Sequence, residues 1–176
     1  MAEALASKLV EKHSIFIGGR NLEKAEILAK KLGEDVEFGT EEQAADFGEI
    51  IVLATPHEAV FEAINSAGGK DALAGKVLLD INNPVETSDY LAKSYDCVSL
   101  SEKIAEAAPN AHVVKAFNMC QAQVWEMKPP VFDGHPLVVM YCGDNNQAKE
   151  KVAVLIKDVG CQAKDIGDLK YARMLE

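Results

Sequence analysis

The stretch Ile50–His57, IIVLATPH, decides the fold. Five apolar residues in a row, three of them β-branched, predict a strand buried on both faces, as the middle of a parallel sheet requires. Thr55-Pro56 closes it, and the fixed φ and missing N–H of proline suit the first turn of a helix over Glu58–Ser66. The same unit recurs in both directions along the chain.

Downstream, Lys76–Ile81 (KVLLDI) reads as another buried strand closed by Asn82-Asn83-Pro84, and His112–Ala116 (HVVKA), Leu137–Tyr141 (LVVMY) and Cys161–Asp165 come after it as strands. Helical spacing of apolar residues fills Ser101–Ala108, Cys120–Met127 and Gln147–Val159, and resumes from Leu169. Upstream, Ser14–Ile17 is a short β-rich run ended by Gly18-Gly19, and Val36–Phe38 is a weaker one. A helix between them starts at Asn21, a good N-cap, and stops at Gly33; Thr40 caps another that ends near Gly48. Residues 2–12 carry a helical stripe of Ala2, Leu5, Ala6, Leu9 and Val10. Alternation without linker or repeat implies right-handed βαβ units. The expected class is α/β: a Rossmann-like, doubly wound, mostly parallel sheet in a single domain over residues 1–176. Such folds usually open on a strand, whereas this chain opens on a helix.

The chain carries 18 basic and 28 acidic side chains, a formal net charge of −10, which opposes nucleic acid or an anionic membrane surface as the main partner. Apolar residues make up 48% and charged ones 26%, a globular balance. No apolar run approaches the roughly 20 residues of a membrane helix, and the opening MAEALASKL lacks the core of a signal peptide. Cys97, Cys120, Cys142 and Cys161 are scattered without a C-x-x-C pair, the usage of reduced thiols in a cytoplasmic protein. Any anionic ligand must be held by local positive features.

Ligands of open α/β sheets bind at the carboxyl ends of the strands, so the residues after each apolar run are the candidates. After the first run come Gly19, Arg20, Asn21 and Lys24: no acid for a ribose hydroxyl, but two cations four apart at a helix start, which suits the 2′-phosphate of NADP. A solvated turn with a like-charge pair explains the same residues. After the later runs come Ala54-Thr55-Pro56-His57, then Asn83-Pro84, then Ala116 and Asn118. Small and amide-bearing residues permit close backbone approach and offer the neutral hydrogen bonds that a nicotinamide carboxamide needs; ordinary turn chemistry is the competing account. His13, His112 and His135 show no metal-ligand spacing, and no Ser-His-Asp set can be assembled from strand ends. Trp125, Met119 and Met127 read as core or interface, and Cys120 as a spectator thiol.

The series GGRNLEKA, IIVLATPHEAV, GKVLLDINNP, AHVVKAFN, LVVMYCGDNNQAKEKV and DIGDLKYARMLE resembles the NADP-dependent oxidoreductases that reduce the deazaflavin coenzyme F(420), and equally the soluble reductase domains of ferric reductases. VVKAFN after DINNP is the most distinguishing combination. The resemblance implies NADP as cofactor, with Arg20 and Lys24 on the 2′-phosphate, Ala54, Thr55 and Pro56 along the ribose and pyrophosphate, and Asn83, Ala116 and Asn118 near the nicotinamide. It also implies hydride transfer to a deazaflavin or flavin-type co-substrate without a protein acid or base. A pyrroline-5-carboxylate or imine reductase and a catalytically silent dinucleotide-binding-like fragment or partner subunit are the alternatives.

The family's G-x-G-x-x-G turn occurs nowhere in the chain. Met1–Leu5 resembles the family's residues just past the second glycine, which places the first strand and both glycines upstream of Met1. The family also continues past Ala172–Glu176 into a segment that helps form the substrate pocket and the dimer. The expectation is weak NADP binding, or none, by this polypeptide alone, and self-association into a homo-oligomer through an unfilled sheet centre.

Overall fold

Parallel pairing of three apolar strands builds the centre of the molecule, whose computed structural model describes residues 1–85 and 98–176. The elements in chain order are α1 (Ala2–Leu9), β1 (Phe16–Gly18), α2 (Leu22–Leu32), β2 (Glu37–Gly39), α3 (Glu41–Phe47), β3 (Ile50–Leu53), α4 (Val60–Ser66) and a short α5 (Gly69–Ala72). Next come β4 (Val77–Asp80), α6 (Leu100–Ala107), β5 (His112–Lys115), α7 (Ala122–Glu126), β6 (Val131–Phe132), β7 (His135–Pro136), β8 (Val138–Gly143), α8 (Asn146–Asp158) and β9 (Gln162–Asp165). 3-10 helices occupy His57–Ala59 and Leu169–Met174. The last of these replaces the helix expected from Leu169.

Five strands form one sheet in the order β3-β4-β5-β8-β9, and β1 pairs with β2 in a separate parallel ribbon. Ile50 stands opposite Val77 and Val77 opposite His112, so β3, β4 and β5 run parallel and in step. β8 runs antiparallel to β5 and carries β9 parallel to itself. That reversal comes from the hairpin of β6 and β7, whose Asp133-Gly134 turn has positive φ at both residues (49° and 80°). An Asp-Gly pair between short β-capable runs is a type I′ signal that the apolar periodicity overlooks.

Side chains alternate to two faces and seed two cores. Val77, Leu79 and Val114 pack with Leu5 and Leu9 of α1 and with Val152 and Ile156 of α8. Leu78 and Val113 face the opposite way, onto Val60 and Ile64 of α4 and Leu100 and Ile104 of α6. Helix starts obey local chemistry: Asn21 Oδ1 accepts the Lys24 N–H at 3.0 Å, and Thr40 with Gln43 and Ser99 with Glu102 form capping boxes. Trp125 is buried edge-on against Phe117, with ring centroids 5.3 Å apart. No helix among the described residues is long and apolar enough to cross a membrane. Cys97 lies outside the described residues.

No described strand joins β1 to β3. Between them runs a slot of about 600 Å³, walled by Phe16–Gly18 on one side and Ile50–Thr55 on the other. β2, β1, slot, β3, β4 and β5 is a doubly wound order with no strand at its central place among the described residues.

Gly18, at the end of β1, lies against α3. A Cβ there would stand 2.5 Å from the Cβ of Ala44, whereas one at Gly19 would meet nothing within 4 Å. Gly18→Ala is therefore expected to destabilise by about 1–3 kcal/mol and Gly19→Ala by no more than about 0.5 kcal/mol in urea unfolding. Equal effects would contradict this packing.

Candidate functional site

The ends of β3, β4 and β5 reach the same edge of the sheet, and side-chain amides lace them together. Asn82 Nδ2 donates to Leu53 O at 3.0 Å and to Asp80 Oδ1 at 2.9 Å, tying the turn after β4 to the end of β3. Asn83 Nδ2 donates to Asn118 O at 2.6 Å, and Asn118 Nδ2 donates to Asn83 Oδ1 and to Leu175 O, each at 2.7 Å. Phe117 makes this pairing possible. Its φ of 61° is a conformation that side-chain-bearing residues rarely adopt, and it turns the chain out of β5. Asn118 is buried, and its Oδ1 has no hydrogen-bond donor among the described residues. Ala116 and Pro84 are buried beside it.

Beneath these amides lies a buried ionic cluster. Lys115 is completely buried; its Nζ donates to Asp80 Oδ2 at 2.9 Å, Glu176 Oε1 at 2.7 Å and Asn82 O at 2.6 Å. Ser101 Oγ donates to Asp80 Oδ2 at 2.6 Å. The Glu176 carboxylate also accepts the N–H groups of Leu100 and Ser101, the positive start of α6. One ammonium and a helix N-terminus thus balance two carboxylates. Nearby, Arg173 grips Glu102 through two bonds of 2.7 and 2.6 Å, and with the Ser99 contacts this holds the Glu102 carboxyl at about 2 against burial.

The remaining candidates follow the ends of β1 and β3. Ala54 and Thr55 line the slot, and Thr55 Oγ1 is buried without a partner. Gly19 N donates to Gly39 O at 3.1 Å, fixing the turn to β2. Asn21 serves as the cap of α2, Lys24 is exposed, and Arg20 forms an exposed ion pair of 2.8 Å with Glu62 of α4. Pro56 accepts the Ala59 N–H in the 3-10 turn. His57 does not join the slot wall: it is buried, with Nδ1 3.4 Å from Glu58 Oε2 and Nε2 unpartnered. Burial raises the Cys142 thiol to about 12 and the Cys161 thiol to about 11, so both stay protonated at neutral pH. Among the described residues no group of His, Cys, Asp and Glu could hold a metal.

Sequence reading did not single out Asp80, Asn82, Lys115, Ser101 or Glu176. A signal existed: Asp80 and Lys115 each end an apolar strand, and equal strand lengths set them opposite one another.

A family model described as NADP oxidoreductase, coenzyme F420-dependent, matches residues 1–84. The F420-dependent NADP reductase of Methanocaldococcus jannaschii is 30% identical over 188 residues, covering 98% of this chain and 81% of that protein. The chain belongs to the family of F420-dependent NADP oxidoreductases. Rat metalloreductase STEAP3 is 33% identical over 176 residues; this chain spans 33% of its length. A solved Arthrobacter sp. FB24 structure, described provisionally as an F420-dependent NADP reductase, superposes with a TM-score of 0.84 at 28% identity, covering 98% of this chain and 83% of that one. Both F420-type relatives thus cover 98% of this chain.

Lys115→Met should destabilise by about 3–5 kcal/mol, because it strands two buried carboxylates. Glu176→Gln, which keeps an acceptor, should cost about 1–2 kcal/mol; urea unfolding measures both, and a neutral Lys115→Met would contradict the cluster. The folded Glu102 value lies below the unfolded one, so its stabilisation is full above the ordinary carboxylate range and fades as pH falls toward about 2. The stability gap between Glu102→Gln and the parent should close over that window.

Proposed function

We propose that the strand ends of β3, β4 and β5 hold the nicotinamide half of NADP(H), and that this member of the family passes a hydride between NADP(H) and a deazaflavin of the coenzyme F420 type. The observation that carries this reading is the Asn83–Asn118 pair, in which the buried Oδ1 of Asn118 lacks a donor. A carboxamide displacing Asn83 meets a donor and an acceptor on one side chain, the fit expected of a nicotinamide. Thr55 Oγ1, buried and unpartnered at the slot mouth, suits a ribose or phosphate oxygen.

Bound NADPH supplies the hydride chemistry, and the protein's part is alignment. Asn118 fixes the carboxamide end, Phe117 and Ala116 give an apolar floor without a proton donor, and the Lys115 cluster keeps that floor rigid. Arg20 and Lys24 answer the 2′-phosphate. The Arg20–Glu62 pair does not oppose this, because an exposed pair contributes about 0–1 kcal/mol and a dianionic phosphate competes well for the guanidinium. The slot interrupts the sheet between Gly18 and Ala54, where a pyrophosphate needs converging backbone N–H groups, so the affinity for NADPH is expected to be weaker than micromolar.

Calorimetric titration with NADPH and NADH tests the assignment. Arg20→Ala should weaken NADPH binding by about 1–3 kcal/mol with little effect on NADH, and Glu62→Gln should strengthen NADPH binding slightly. Equal losses for both nucleotides would reject Arg20 as the phosphate ligand. Loss of deazaflavin absorbance on mixing with NADPH and the chain supports the acceptor; a flavin reduced in its place redirects it.

A further inference from the structure

Asn118 has one side-chain amide, and the ligand it can take depends on which end of that amide is the donor. Both Nδ2 hydrogens are engaged, one by Asn83 Oδ1 and one by Leu175 O, each at 2.7 Å. Asn83 could exchange roles with Asn118, because a side-chain amide has a donor end and an acceptor end. A backbone carbonyl only accepts. Leu175 O therefore decides the orientation. With the Asn118 amide turned over, its Oδ1 would stand against that carbonyl, two buried acceptors in contact with no hydrogen between them. In the orientation adopted, Oδ1 is buried without a donor among the described residues.

Leu175 O belongs to the planar peptide unit that joins Leu175 to Glu176, and that unit is fixed from the Glu176 side. Glu176 N donates to Ala172 O at 3.0 Å. The Glu176 side chain, only 7% exposed, accepts from Lys115 Nζ at 2.7 Å and from Leu100 N and Ser101 N at 2.7 and 3.2 Å. Leu175 itself is buried against Cys142 and Ala172. We propose that Glu176 is a positioning residue: through the Leu175 carbonyl it sets the polarity of the Asn118 amide, so that the strand ends select a ring whose substituent carries an N–H over the same ring with a carbonyl alone. The selection rests on the nicotinamide reading of these strand ends. A carboxamide supplies the N–H that Asn118 Oδ1 lacks, whereas an acetyl group in its place leaves that acceptor buried and unpaired. Glu176 does not touch the ligand; a neutral side chain makes the choice, and the carboxylate fixes its direction.

Two readouts on the full, isotope-labelled chain test this. Without nucleotide, solvent exchange of the Asn118 side-chain amide hydrogens should be slow in the parent and in Glu176→Gln, which keeps an acceptor for the Leu100 and Ser101 N–H groups, and about tenfold faster in Glu176→Ala. With nucleotide, titration followed by nuclear magnetic resonance compares NADP with its 3-acetylpyridine analogue. The parent and Glu176→Gln should prefer NADP by about tenfold, and Glu176→Ala by less than about threefold. Ile156→Val, a methyl deletion in the core contacts of α8 that leaves every polar group of the strand ends in place, controls for general loosening and should keep both parent values. Parent-like exchange or parent-like preference in Glu176→Ala, or an equal loss of preference in Ile156→Val, overturns the proposal. A parent that binds both nucleotides equally overturns it and leaves NADP binding standing. A parent that binds neither overturns the nicotinamide reading and the selection with it, while the exchange readout still decides whether Glu176 fixes the amide.

Discussion

The contact between Lys115 and Asp80, buried where two parallel strands end, is the constraint on which the strand-end edge depends. A charge pair so fully withdrawn from water holds only if every remaining donor and acceptor finds a partner. Here Asn82 O takes a Lys115 hydrogen, Ser101 takes one Asp80 oxygen, and Glu176 closes the set from the end of the chain. Because Asn82 belongs both to this cluster and to the bond with Leu53 O, satisfying the charge pair also fixes the turn that presents Asn83. Leu175, next to Glu176, fixes Asn118 from the other side. The electrostatics and the geometry of the amide pair are one arrangement.

The protein is acidic overall, yet Arg20 and Lys24, the residues proposed for the phosphate, are basic and exposed. Arg20 is held by Glu62 through an exchangeable surface contact, and the amides deeper in the edge are neutral. Charge attraction is therefore confined to the slot mouth, and orientation to the strand ends. Such a division suits a ligand that is charged at one end and flat and neutral at the other.

Much of this was legible in the sequence. Apolar runs bounded by Pro, Asn and Gly pointed to the α/β class and the strand-end candidates, because burial on both faces leaves a periodicity signal; the gap in the sheet was expected from the family resemblance. Asn83 and Asn118 were readable as strand-end residues, though their mutual hydrogen bonds were not. The Lys115–Asp80–Glu176 cluster stayed hidden because its members lie 35 and 61 residues from Lys115 in sequence, and only strand register joins them. Phe117 was illegible for another reason: nothing in a phenylalanine announces a positive φ. His57 was readable as a residue after a strand, but neither its burial nor the unpartnered state of its Nε2 was.

The most direct test of the central claim, that the amide pair at the strand ends receives the nicotinamide, is a nuclear magnetic resonance titration of the labelled chain with NADPH carried to millimolar concentration. The account predicts saturable shifts of the Asn83 and Asn118 side-chain amide signals and of the Thr55 backbone amide, with the Arg20 guanidinium responding to NADPH and not to NADH. Saturable binding that leaves the Asn83 and Asn118 signals unmoved would contradict it.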